Sequence, residues 1–367
     1  MSTSPLSVFN SDRTASGIGL PDEIQACWMS PSNIALIKYW GKKMGQLPTN
    51  PSLSLSLSEA HTITSIVASR MPGNAELVSI NNDNTHPFLS RLNGFFQWMV
   101  REIPILNGFS YKMETHNSFP HSTGIASSAS GLSAFTFCML DIAGRIADVT
   151  VPEKQFRNIA SYASRMGSGS ACRSVYGGFS AWGQTDLIPD SSDDYAIDIN
   201  ELVHPDLARL KDAILVISSN PKSVSSSTGH SLMNKHPYAQ GRYLQVTKNL
   251  EKILDALKTG DLNLLGEISE NEALSLHFLI MTSAGGDILI TPASLAVMKQ
   301  IRLMRASGLP VFYTLDAGPN VHLLYPESAA VKVENFIKTD LVQYCENGNV
   351  IFDHYGNGPV KNGGSII

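Results

Sequence analysis

Seven consecutive residues, Ser52-Leu53-Ser54-Leu55-Ser56-Leu57-Ser58, alternate serine and leucine without a break. In an extended chain successive side chains point to opposite faces, so the leucines look one way and the serines the other. No helix can gather a period of two onto one side. The stretch is therefore a strand, and it commits the early chain to a sheet. Residues 62–68, rich in β-branched side chains, predict a second strand. Phe88, Leu92, Phe95, Phe96, Met99 and Ile103 recur at helical spacing over 87–103 and read as core packing. A strand is expected at 110–115, then helices at 125–143, 153–166, 237–259, 261–280, 292–307 and 328–340. Gly308 and Pro310 stop the helix that precedes them. Short strands are expected at 311–315 and 321–325, around the turn Asp316-Ala317-Gly318-Pro319-Asn320, and at 350–352. Strands early and helices late, without regular alternation, indicate an α+β fold.

At 367 residues the chain exceeds what one core usually holds, so two lobes are expected. The acidic, proline-bearing stretch 184–206 marks the boundary. This divides the chain into a loose extension over 1–24, a first lobe over 25–206 and a second over 207–367. A net charge of −5 without a basic cluster argues against nucleic-acid binding. Cys27, Cys138, Cys172 and Cys345 lack metal-ligand spacing and read as free thiols of a reducing compartment. The most apolar stretch, 132–143, is broken by Ser133, Thr136 and Asp141 and falls short of the ~20 residues a membrane span needs. The first twenty residues lack a secretory pattern, and a cytoplasmic protein is expected.

Four segments carry chemistry. Pro120-His121-Ser122-Thr123-Gly124-Ile125-Ala126-Ser127-Ser128 is a loop of mainly small residues opening a helix. Such a loop aims backbone N–H groups and the positive helix end at one point, which suits a phosphate. A serine-rich start that caps itself is the equal alternative. Ser168-Gly169-Ser170-Ala171-Cys172-Arg173 is a second small-residue loop, and its arginine is either an ordinary surface charge or a two-pronged ligand for a carboxylate or phosphate. Lys38 ends the apolar run 34–37, where a lysine is costly unless paired or bound to an anion. Asp316, between an apolar strand and a glycine turn, is either a turn cap or a carboxylate placed to take a proton.

Together these segments resemble the mevalonate diphosphate decarboxylases of the GHMP kinase superfamily. The resemblance rests on SNIALIKYWGKK at 32–43, LPTNPSLSLSL at 47–57, SFPHSTGIASSASG at 118–131, SRMGSGSACRSVYGGFSAW at 164–182 and LDAGPNVHLL at 315–324. It implies a first lobe like domain 2 of ribosomal protein S5 and a ferredoxin-like second lobe. It also implies ATP-dependent decarboxylation of mevalonate 5-diphosphate to isopentenyl diphosphate, with Mg²⁺, in a homodimer. Mevalonate 5-phosphate as substrate, or 3-phosphorylation without decarboxylation, are the alternatives. By the same resemblance Asp316, Lys38 and Arg173 are catalytic. Tyr39, Lys42, Ser168, Gly169 and Ser170, again with Arg173, hold the substrate. Ser52, Ser54, Gly124, Ala126, Ser127, Ser128, Ser225 and Ser226 face the nucleotide. The sequence departs from the family at Lys43-Met44-Gly45-Gln46 and at His121.

Overall fold

In the computed structural model, which describes residues 4–10, 21–120, 125–220, 226–233 and 236–362, the serine–leucine alternation opens one long strand. β1 (Glu23–Ile37) and β2 (Ser52–Arg70) form an antiparallel pair at the centre of the first sheet. β3 (Glu76–Ile80) and β4 (Phe109–Asn117) extend it on one side, as its sole parallel pair among the described strands. β5 (Phe179–Trp182) joins the Ser52–Leu55 end of β2, and β6 (Ala196–Asp198) joins β5. The second sheet holds β7 (Leu210–Leu215), β8 (Phe312–Thr314), β9 (Val321–Pro326) and β10 (Val350–His354), in the order β10-β7-β9-β8. β11 (Val360–Lys361) then returns to pair with β1. This is the expected two-lobed α+β arrangement, with sheets parting between β6 and β7.

The two strands expected at 52–58 and 62–68 are one. β2 changes neighbour between them, from β5 to β4. In that gap the N–H groups of Ser58, Glu59 and Ala60 donate to the carboxylate of Asp353, on β10, at 2.7–2.9 Å. A carboxylate from the other sheet thus satisfies ladder donors that no strand covers. The two faces of the alternation are both buried. Leu53, Leu55 and Leu57 pack with Leu210 and Ile214 of β7 and with helices of the second lobe, so they join the lobes. The serine side is also closed: Ser56 donates to the Tyr176 carbonyl at 2.7 Å and Ser52 to that of Trp182 at 3.3 Å.

α1 (Pro87–Glu102), α2 (Ser127–Ala147) and α3 (Glu153–Gly167) cover the first sheet. α2 is apolar almost all round and buried along its length, as a helix inside a core must be. The second lobe contributes α4 (Ser226–Ser231), α5 (Ala239–Thr259), α6 (Leu262–Thr282), α7 (Pro292–Ala306) and α8 (Ala330–Phe336). The helix expected over 328–340 is α-helical only in α8 and continues as a wider π turn over Ile337–Leu341, which seats Ile337 and Leu341 in the core. The extension expected over 1–24 is not wholly loose. Pro5–Phe9 form a 3₁₀ turn that buries Leu6 and Phe9, and β1 already begins at Glu23, because these two apolar side chains complete the first-lobe core.

Candidate active site

Lys38 is the first residue after β1 and is 1% exposed. Its Nζ donates to Asp316 Oδ1 at 2.8 Å and to the carbonyl of Ala35 at 2.6 Å. Burial pulls its pKa below the usual lysine value, and the Asp316 carboxylate works against that pull. Asp316 follows β8 and is half-buried, so one carboxylate reaches from the second lobe to a lysine of the first. The Asp316 carbonyl is bonded to His277 Nε2 of α6 at 3.1 Å. Asp316 thus stands as a half-buried acid held against a buried cation.

Arg173 belongs to the same group of charges. Lys38 feels its repulsion, and both feel the attraction of Asp316. It lies in the turn Gly169–Val175, 3% exposed, which removes the surface-charge alternative. Its guanidinium donates to the Ser52 hydroxyl and lies 5.9 Å from the Trp182 ring centre. Among the described residues no carboxylate pairs with it, and its Nε finds no acceptor. The adjacent Cys172 offers no anion, because burial pushes its thiol up to about 12. A buried cation whose protein partner is a neutral hydroxyl is costly alone and suited to an incoming anion.

Tyr39 stands beside this arginine. Its ring meets Trp182 edge-on at 4.7 Å and His230 at 4.1 Å, and its buried hydroxyl has no partner among the described residues. Gly169 is required here: a Cβ would lie 2.8 Å from the Trp182 ring and 3.0 Å from Tyr39. Ser168 and Ser170, half-buried, bring their hydroxyls within 3.4 Å of each other. Lys42, half-buried, bridges through its backbone to Pro48 just after Gly41, whose φ of +98° favours glycine. Ser54 keeps a buried hydroxyl without a partner, whereas Ser52 is engaged by Arg173.

The expected phosphate loop leads into α2. Ala126, at the N-cap, takes a left-handed φ of 48° and makes no side-chain cap bond. Ser127 and Ser128 stand in the first turn, at the positive end of the helix. Ser32 fixes the approach by donating to the Ile125 carbonyl at 2.6 Å. His121, Gly124 and Ser225 lie outside the described residues. Ser226 is the first residue of α4.

Three residues escaped the sequence reading. Glu272 of α6 accepts the N–H of Lys38 at 2.9 Å and forms a buried pair with Arg242 of α5 at 2.5 and 2.7 Å. Arg165 of α3 donates to the Gly45 carbonyl and to Asp194, tying down the divergent segment 43–46. The first two stand on amphipathic helices of ordinary composition. A charged residue on the apolar side of a helix is the only signal available, and for Glu272, amid Leu265, Ile268, Ala273, Leu276 and Leu279, it was present.

Among the described residues no group of three His, Cys, Asp or Glu side chains could hold a metal ion, and no helix is long and apolar enough to cross a membrane.

Residues 30–196 match the family model of the diphosphomevalonate decarboxylase-like N-terminal domain, and residues 213–361 that of the mevalonate 5-diphosphate decarboxylase C-terminal domain. The diphosphomevalonate decarboxylase of Candida albicans is 30% identical over 318 residues, covering 83% of this chain and 85% of that protein. The mevalonate diphosphate decarboxylase of Enterococcus faecalis superposes with a TM-score of 0.75 at 27% identity, over 93% of this chain and 99% of that one. A further solved structure, in complex with MVAPP, AMPPCP and magnesium, gives 0.75 at 29% identity over the same shares.

Proposed function

Since the chain belongs to the diphosphomevalonate decarboxylase family, we propose that the cleft around Lys38, Asp316 and Arg173 is where it carries out ATP-dependent decarboxylation of mevalonate 5-diphosphate. The products are isopentenyl diphosphate, ADP, phosphate and carbon dioxide. The observation that carries the assignment of residues is Arg173, a buried cation beside the Lys38–Asp316 pair whose side-chain hydrogen-bond partner among the described residues is a hydroxyl.

ATP supplies the phosphoryl group, and magnesium neutralises charge on its phosphates. The start of α2 fits those phosphates: the N-cap residue Ala126 supplies no side-chain cap, so backbone N–H groups with Ser127 and Ser128 suit an anion there. With no acidic cluster among the described residues, magnesium fits as an ion held largely by phosphates and water. Asp316 Oδ1, held by Lys38, orients the tertiary 3-hydroxyl and takes its proton as it attacks. Lys38 holds Asp316 in place at 2.8 Å and steadies the charge of the transferring group. Arg173 holds the substrate carboxylate. Once the 3-phosphate departs, the electron-poor carbon draws the electrons of the carboxylate's C–C bond, and carbon dioxide leaves. Tyr39, Lys42 and the Ser168–Ser170 loop hold the diphosphate, and Ser52, Ser54, Ser225 and Ser226 border the nucleotide. A lobe boundary near residue 206, a homodimer and a cytoplasmic location complete the reading.

The test is a paired measurement of ADP and carbon dioxide from mevalonate 5-diphosphate and, separately, from the 5-phosphate. Equal release of both products, favouring the diphosphate, is expected. ADP without carbon dioxide, or preference for the 5-phosphate, overturns the assignment.

A further inference from the structure

One helix touches the main chain of both members of the Lys38–Asp316 pair. From α6, Glu272 accepts the Lys38 N–H at 2.9 Å, and His277 Nε2 meets the Asp316 carbonyl at 3.1 Å. Glu272 is 0% exposed and does not move freely. Arg242 grips both its oxygens, and Asn249 donates to Oε1 at 2.7 Å. Arg242 in turn reaches the Lys38 carbonyl at 3.3 Å, beside Asn50 at 3.0 Å. The N–H and C=O of one residue are thus both held by a single buried ion pair from the other lobe. Ordinary cohesion between lobes does not need this. It is already supplied by the leucine face of β2, and a buried ion pair usually adds little net stability over an apolar replacement. What the pair does add is a fixed position for the lysine.

We propose that Glu272, locked by Arg242, is a positioning residue of the reaction: it sets where Lys38 stands against Asp316 and holds its negative charge next to the lysine backbone. The proposal rests on the functional reading above. The charged groups around Lys38 are Asp316 on the β8–β9 turn, Glu272 on α6, Arg173 on the 169–175 turn, Arg242 of α5 at the Lys38 carbonyl and, more weakly, Asp212 on β7. Three of these act in known directions on the ammonium beside the dominant effect of burial: the carboxylates of Asp316 and Glu272 favour it, and Arg173 opposes it. Neutralising Glu272 therefore makes Lys38 lose its proton at lower pH.

The experiment compares wild type, Glu272→Gln and the double variant Glu272→Met/Arg242→Met. The double variant removes both charges, so no unpaired ion is left in the core. Each is measured for melting temperature, ATP binding and the pH profile of kcat and KM with mevalonate 5-diphosphate. Expected are a fall in kcat of about 10–100-fold with KM changed less than about threefold. In Glu272→Gln the alkaline limb of the kcat profile should move to lower pH. A double variant that folds and keeps the wild-type kcat and pH profile overturns the inference, as does one that cannot fold, since the pair is then structural. A wild type inactive on the substrate sinks the functional reading instead, a result distinct from either.

Discussion

Arg173 and Arg242 are both buried guanidinium groups near Lys38, and each leaves Nε without an acceptor among the described residues. They differ in charge balance. Arg242 meets a carboxylate two-pronged, and that carboxylate is further closed by Asn249 and the Lys38 backbone. Arg173 has the Ser52 hydroxyl and the edge of an aromatic cage. The protein answers one buried cation from within and leaves the other to be answered by something that arrives. Burial alone does not separate an architectural charge from a functional one; the sign of its nearest partner does.

The sharpest way to test this contrast is at the carboxylate that faces the cleft. Asp316→Asn keeps shape and hydrogen bonding but removes the charge that takes the hydroxyl proton. Turnover is expected to fall ~10²–10⁴-fold, with ATP binding and melting temperature little changed. Retention of more than half the wild-type rate would remove Asp316 from the chemistry. The two arginines should then part in stability. Arg242→Met leaves Glu272 buried and unpaired, and denaturant unfolding should show a loss of about 3–5 kcal/mol. Arg173→Met removes a cation that no carboxylate pairs with directly among the described residues, so the ligand-free protein should unfold no more easily than wild type. If both variants lose stability equally, the contrast between them is void.

A gentler change probes geometry. Arg173→Lys keeps the charge but gives up the planar fork, and a lysine ammonium is a point donor. A drop in kcat/KM of more than about tenfold is expected, equivalent to about 1.4 kcal/mol of transition-state binding. A loss below about threefold would place the guanidinium outside the substrate's reach.

How much of this could be read from the sequence follows a physical line. The strand at 52–58 was legible because a period of two has one structural meaning, and α1, α3, α5, α6 and α7 because their apolar stripes are long. Lys38 was legible as a charge placed where solvation should forbid it, whereas Arg173 and Asp316 each kept a bland alternative until the resemblance supplied their roles. β1, β3, β5, β6, β7 and β11 were not anticipated, β1 because its burial on both sides leaves no alternation. Short strands carry little periodicity, and β11 exists only because β1 offers it an edge. That the serine face of β2 is buried could not be read from the strand itself, since what covers it is a turn more than a hundred residues away. Glu272 and Arg242 were invisible as a pair because their meeting depends on how α5 and α6 pack, which no spacing within either helix records.

The smallest effect expected is at the edge of the site, and it asks whether the distinction between inward-closed and outward-facing charge extends to the substrate's tail. Lys42 is half-buried and follows Gly41, whose N–H donates to His230 at 3.1 Å, so the loop that carries it is held from the second lobe. The neighbouring segment departs from the family pattern, yet Arg165 secures it by gripping the Gly45 carbonyl. A held loop keeps a lysine in place at little entropic cost when an anion binds. A diphosphate presents more charge to it than a monophosphate, so removing the ammonium should weaken the diphosphate more. One charge-assisted hydrogen bond at a half-exposed site is worth about 1.5 kcal/mol, or about tenfold in affinity. Lys42→Ala should therefore raise KM for mevalonate 5-diphosphate about tenfold, leave kcat near wild type, and narrow the preference over the 5-phosphate. Side-by-side kinetics with both substrates decide the matter. Equal rises in KM for the two would mean that Lys42 does not touch the terminal phosphate, and a fall in kcat alone would place it among the groups that act on the reacting centre.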